Sequence, residues 1–215
     1  MRKSLGLVMA LGLLLAAPAM SENTRADFGV RLFGVPVGQM ILAKNADGTA
    51  YAAKGEFRTT GLVGLLARVR FTMSAHGIGT MPELRPRGYV EDVDTGYRAS
   101  AVQVRFAPSD SRIDPLTGLI AALIDRDAGT GCAFEGQTFD GKRAMRVRIR
   151  PAAGSPENSL TCTGKLTRLS GYTDAEMAEA VTFPFSIHFE RTGEKLVAMR
   201  ADIDTIHGKV ALLRR

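Results

Sequence analysis

Asp114-Pro115-Leu116-Thr117-Gly118-Leu119-Ile120-Ala121-Ala122-Leu123-Ile124-Asp125 is the stretch that decides the fold. Asp114 can accept hydrogen bonds from the first free backbone N–H groups of a helix, and Pro115 stands where its missing donor does no harm. Leu116, Leu119, Ile120, Leu123 and Ile124 recur at helical spacing and gather on one face. Gly118, Ala121 and Ala122 keep the flanks slim. So short a helix is marginal alone in water and must be held by burying its stripe. The rest of the chain reads as strands that could supply the opposing surface. The expected fold is therefore mainly β: a strongly curved antiparallel sheet or barrel with one inserted amphipathic helix over 114–125. A two-sheet sandwich with the helix on an edge is the alternative.

Working outward toward the N-terminus, Tyr97 to Phe106 reads as a strand entered through the turn Asp94-Thr95-Gly96. Pro82 and Pro86 interrupt the segment before it, which places the strand 87–92 near a sheet edge. Residues 68–76 alternate, with Val69, Phe71, Met73 and Ala75 on one side. Thr60 to Ala67 could be a short helix or a tight apolar corner, its two glycines arguing against a firm helix, and is expected to tuck under the sheet or to form a hydrophobic lip for ligand or membrane contact. The turn Asn45-Ala46-Asp47-Gly48 joins the strands 38–44 and 49–60, and Phe28, Val30 and Leu32 mark a first strand before a bend at Pro36.

Toward the C-terminus, residues 132–139 and 142–150 form a hairpin across Asp140-Gly141, read as a two-residue turn. A strand over 159–169 and a helical turn near 175–180 follow. Phe183, Phe185, Ile187 and Phe189 alternate with Pro184, Ser186, His188 and Glu190, the clearest half-buried strand of the chain. Residues 195–204 and 206–213 complete the set. There is no repeat and no linker, so one domain is expected over 20–215.

The first residues carry an address. Arg2 and Lys3 precede an apolar run from Leu5 to Ala17, and Ala17-Pro18-Ala19 fits a cleavage site after Ala19. The run falls short of the about 20 apolar residues of a membrane span. No cysteine lies near the cut. A signal peptide over 1–19 and a periplasmic product are expected, not an integral membrane protein after cleavage. Losing Arg2 and Lys3 lowers the net charge from +6 to +4, a mild excess suited to an anionic envelope. Nucleic acid is not an expected partner of an exported chain. Export also makes a Cys132–Cys162 disulfide the first expectation, ahead of two buried thiols or a metal site.

No nucleophile elbow, P-loop or dinucleotide glycine pattern occurs, and His76, His188 and His207 stand singly. Glu91, Asp92 and Asp94 cluster where a solvated turn is expected. No catalytic residue, metal ligand or cofactor is assigned. Two candidate surfaces remain. One is apolar, from Leu116, Leu119, Ile120 and Leu123 of the helix with Leu62 and Leu65 of the corner, and would take a lipid-like molecule. The other is the row Arg146, Arg148 and Arg150, whose guanidinium groups could bind phosphate or carboxylate, although a solvated outer face is the plainer reading. The functions these surfaces suggest are binding of an apolar ligand, then binding of another envelope protein, and last a glycan-acting enzyme.

Several segments read together as a pattern: Phe33-Gly34-Val35-Pro36-Val37-Gly38, Phe57-Arg58-Thr59-Thr60-Gly61-Leu62-Val63-Gly64-Leu65, Pro82-Glu83-Leu84-Arg85-Pro86, Asp114-Pro115-Leu116 and Phe139-Asp140-Gly141-Lys142-Arg143. With them the chain resembles the bacterial exported family catalogued as domain of unknown function thirty-one-oh-eight. The resemblance spans nearly the whole mature chain. It implies a periplasmic β-rich domain and brings no catalytic residues.

Overall fold

Alternating side chains build two antiparallel meanders. The first holds β1 (Glu22–Leu32), β2 (Val35–Asp47), β3 (Ala50–Thr59), a short helix α1 (Gly61–Leu66), β4 (Arg70–Ile78), β5 (Arg85–Asp94) and β6 (Ala99–Arg105). The helix α2 (Pro115–Leu123), the two-residue β7 (Arg126–Asp127) and a 3-10 turn over Ala128–Thr130 follow. The second meander holds β8 (Phe134–Phe139), β9 (Ala144–Pro151), β10 (Ser159–Ser170), a short helix α3 (Asp174–Glu179), β11 (Thr182–Thr192), β12 (Lys195–Thr205) and β13 (Gly208–Arg214). This computed structural model describes residues 22–96 and 99–215, and of Leu62, Val63 and Leu66 the backbone only. The expected leader over 1–19, and Tyr97 at the head of an expected strand, lie outside the described residues.

The meanders join where β1 pairs with β13, giving one sheet in the order β6-β5-β4-β3-β2-β1-β13-β12-β11-β10-β9-β8, with β7 attached to the start of β12. β6 and β8 are its two edges, so the sheet is curved and open rather than a closed barrel or a sandwich. The edges nevertheless come close. A Cβ placed on Gly141, in the β8–β9 turn, would lie 3.1 Å from Val104 and 3.2 Å from Val102 of β6. The chain leaving β6 crosses this gap and docks on the free edge of β8: Ile113 N–H donates to Gln137 O at 2.8 Å, and Phe139 N–H donates to Ile113 O at 2.8 Å. That crossing carries the chain inside the curve, where α2 begins.

The core lies on the concave side. Phe28, Leu42, Tyr51, Tyr89, Ile149, Ile187 and Phe189 from the strands meet Leu116, Ile120 and Ile124 around α2. Gly55 is needed here: a Cβ at this position would stand 2.8 Å from the Leu116 side chain. The disulfide is formed, with Cα atoms of Cys132 and Cys162 6.5 Å apart. It spans two strands in a sheet ordered β8-β9-β10. The crossing is possible because Cys132 lies before β8 and Cys162 faces Pro151, the last residue of β9.

Three local expectations change. Helix α2 is shorter than 114–125: Asp114 is its N-cap, and Ile124 is already extended at φ −76°, ψ 145°. β5, which holds Pro86, lies next to the edge strand β6, near the edge as expected, and is paired on both sides. Pro86 is accommodated because it sits at a register shift opposite Gly77, and β6 pairing starts beyond it at Gly88. The β8–β9 connection has four residues, 140–143, with Phe139 opposite Ala144. Asp140 holds it by accepting the N–H groups of Lys142 and Arg143 through Oδ1, at 2.8 and 2.6 Å. Of the readings for 60–67 the short helix holds, over 61–66, but its Leu65 is 82% exposed instead of tucked beneath the sheet.

Candidate ligand-binding cavity

Both ends of α2 are bolted to the sheet by polar groups. At the N-terminus the buried Asp114 accepts the Thr117 N–H at 2.8 Å and the Thr117 hydroxyl at 2.6 Å. The Thr117 hydroxyl is in turn 2.9 Å from the Tyr51 hydroxyl of β3. Burial pushes the Asp114 carboxyl above the usual carboxylate range, against the pull of these hydrogen bonds. The same burial pushes the Tyr51 phenol upward, so it stays protonated and available as a donor.

At the C-terminus the orphan carbonyls find a guanidinium. Arg126 donates through Nη1 to Ala121 O at 2.8 Å and through Nη2 to Ala122 O at 2.9 Å, and both Nε and Nη2 reach Ile124 O. The arginine is 5% exposed and lies 5.0 Å over the Phe189 ring. Burial lowers its pKa to about 10, which still leaves it charged at neutral pH. A cation here also opposes the negative end of the helix dipole. Beside it, Asp125 receives both terminal nitrogens of Arg214 at 2.8 and 2.7 Å, tying the helix end to β13.

With its ends fixed, α2 packs on β2, β3, β4 and β8. It does not fill the other half of the curve. Between its remaining flank and β9 to β13 lies a cavity of about 320 Å³, walled by Leu119, Ala122 and Leu123 of the helix and by Met145, Leu166, Phe185, Ile203 and Leu212 of the sheet. The lining is almost wholly hydrocarbon; Thr138 and Asp202 are its polar side chains. Most of the wall is half-buried, so the space reaches solvent.

The helix stripe therefore divides. Leu119 and Leu123 line the cavity, whereas Leu116 and Ile120 are fully buried in the packed core. Leu65 stands in solvent away from the cavity, and the Leu62 side chain lies outside the described residues. Sequence reasoning missed the sheet half of the wall. Phe185 and Leu166 were legible as apolar alternation, but nothing local tells which apolar faces meet a helix and which face a void.

The arginine row of β9 is exposed, and two of its members are occupied. Glu135 of β8 accepts Nε and Nη2 of Arg148 at 3.0 and 2.8 Å and Nη2 of Arg150 at 3.1 Å. These contacts hold the Glu135 carboxyl below the usual range. Arg146 lies near the same carboxylate without a hydrogen bond to it. Of the histidines, His188 Nδ1 is 3.4 Å from the Thr161 hydroxyl, and the His76 ring covers Gly88. Among the described residues no three His, Cys, Asp or Glu side chains converge in a way that could hold a metal ion. None of the described helices is long and apolar enough to cross a membrane.

Compared with family models, with curated proteins and with solved structures, the chain matches none of them.

Proposed function

We propose that this chain is an exported periplasmic protein of the family it resembles, and that it binds a lipid-like molecule, an acyl chain above all, between α2 and strands β9 to β13. The observation that carries the reading is the 320 Å³ apolar cavity, left open by a helix whose two ends are fixed. A space of this size falls at the low end of the about 300–1,000 Å³ typical of small-molecule sites. An apolar wall that faces solvent forfeits the burial and contacts of a close-packed interior. A guest restores those contacts. Its polar end would remain at the solvent side, since the lining offers no charged partner except Asp202, which is already paired with Arg200 at 2.6 Å.

The test fills the space from within. Ala122 is half-buried and faces the cavity, so Ala122→Phe should occupy it with little disturbance of the core. Titration with a fluorescent fatty acid should give saturable binding to the wild type and at least about tenfold weaker binding to Ala122→Phe, the equivalent of about 1.4 kcal/mol. Equal binding by both proteins would place the probe elsewhere and remove the proposal.

A further inference from the structure

Exposed large apolar side chains are not scattered over this molecule. Phe33 (71% exposed), Val35 (56%), Leu65 (82%), Val181 (41%) and Ile206 (40%) make up five of the seven among the described residues, and all five sit at one end of the sheet. Phe33 is in the β1–β2 turn, Val35 opens β2, Leu65 is in α1 between β3 and β4, Ile206 is in the β12–β13 turn, and Val181 leads into β11. Register links three of these neighbours directly. Phe33 N–H donates to Lys209 O at 3.0 Å, the Phe33 ring covers Gly208, and Thr60 N–H at the head of α1 donates to Val37 O at 3.1 Å.

Cations surround this apolar rim. Arg31, Arg58, Arg68 and Lys209 are exposed at the same strand ends. Arg31, Arg58 and Arg68 have no carboxylate within salt-bridge distance among the described residues, and Lys209 has only Asp204, at 3.8 Å. The other carboxylates of this end are Asp92, paired with Arg70 at 3.5 Å, and Asp94 on the β5–β6 side, with Asp140, Asp174, Glu176 and Glu179 by the β8–β9 turn and α3. The cavity leans toward the same end. Its lining residues Phe185 and Ile203 fall within four residues of Val181 and Ile206.

We infer that this rim docks on the surface of an anionic lipid bilayer, inserting Phe33, Val35, Leu65 and Ile206 among the acyl chains while Arg31, Arg58, Arg68 and Lys209 meet the phosphates. Apolar side chains ringed by cations match the two layers of such a surface, and each kind of contact strengthens the other. A protein partner would need a complementary acidic frame around an apolar centre. The bilayer supplies that chemistry everywhere, and it is also where an acyl chain would be picked up or delivered. The inference extends the cavity reading by assigning the place of exchange.

Cosedimentation with vesicles of phosphatidylcholine, with and without phosphatidylglycerol, tests it. The wild type should bind the anionic vesicles and lose binding as salt rises. Phe33→Asn with Leu65→Gln keeps a residue tolerant of positive φ in the turn, where Phe33 has φ 50°, and a helix former in α1. This pair should lower vesicle affinity at least about tenfold, because two apolar side chains that would insert into the bilayer are lost. Arg58→Glu with Arg68→Glu should do the same for anionic vesicles only. Both variants should keep the wild-type affinity for the soluble fatty-acid probe. Wild type that binds the probe but no vesicle overturns the rim and leaves the cavity standing. Vesicle binding that depends on the rim, without probe binding, does the reverse. Vesicle binding unchanged by both variants rejects the rim outright.

Discussion

Asp114 concentrates several demands in one side chain. It caps α2, anchors Thr117 and through it Tyr51, and does so with no exposure to water. Capping alone is worth about 1 kcal/mol. Its raised pKa adds a pH dependence of known sign. The folded state holds the proton above the pH at which the unfolded chain, with a pKa of about 3.9, releases it. The folded state therefore binds more protons in that window, and this group's contribution to stability is lost as pH rises through the folded value. Asp114→Asn keeps a capping oxygen and removes the titration. The stability difference between wild type and Asp114→Asn, read from urea unfolding, should shift in favour of the wild type as pH falls from neutral toward the ordinary aspartate range. A difference that stays flat with pH would show that the carboxyl titrates normally. The exposed pairs Glu135 with Arg148 and Asp202 with Arg200 carry lowered carboxylate values and act in the opposite direction, which is why the difference, not the wild type alone, is informative.

At the scale of the element, α2 is held by what surrounds it rather than by its own propensity. Nine residues, one of them glycine, would not stay helical in water. Arg126 satisfies three of the carbonyls at its C-terminus from a buried position. Arg126→Met preserves much of the stem's volume and leaves those carbonyls without donors. A loss of about 2 kcal/mol is expected, from buried acceptors at about 1–3 kcal/mol each, partly offset by removal of a desolvated charge. Hydrogen exchange at the last turn of α2 should rise more than exchange in β2 or β3. Uniform change across the molecule would mean that the guanidinium acts on the whole fold and not on the helix end.

The whole molecule is an open sheet curled until its edges almost meet, with the 106–114 crossing laid over the gap and a disulfide stitching the β8 side to β10. Closing a loop with a sequence separation of 30 stabilises by about 3–4 kcal/mol in the chain-entropy model. Reduction, or Cys132→Ser with Cys162→Ser, should lower the urea midpoint accordingly. Fatty-acid binding at low temperature should persist, since neither cysteine lines the cavity. Unaltered stability on reduction would mean that the unfolded chain gains little freedom when the bridge opens.

The sequence by itself determined the kind of object this is. Alternation along 183–189, the turn at Asp94-Thr95-Gly96 and the Asp-Pro start before Leu116 are local signals, set by backbone sterics and the two side-chain periods, so strands, turns and the one substantial helix could be read directly. The same signals placed the strand after Pro82 and Pro86 near an edge but not Pro86 at a register shift, because that depends on the strand across from it. They were silent on the split of the helix stripe into Leu116 and Ile120 in the core and Leu119 and Leu123 on the cavity. They were silent too on the gathering of Phe33, Leu65 and Ile206, far apart in the chain, at one rim. Only the tertiary structure decided these, because a side chain's own pattern records that it is apolar but not whether protein, cavity or solvent lies opposite.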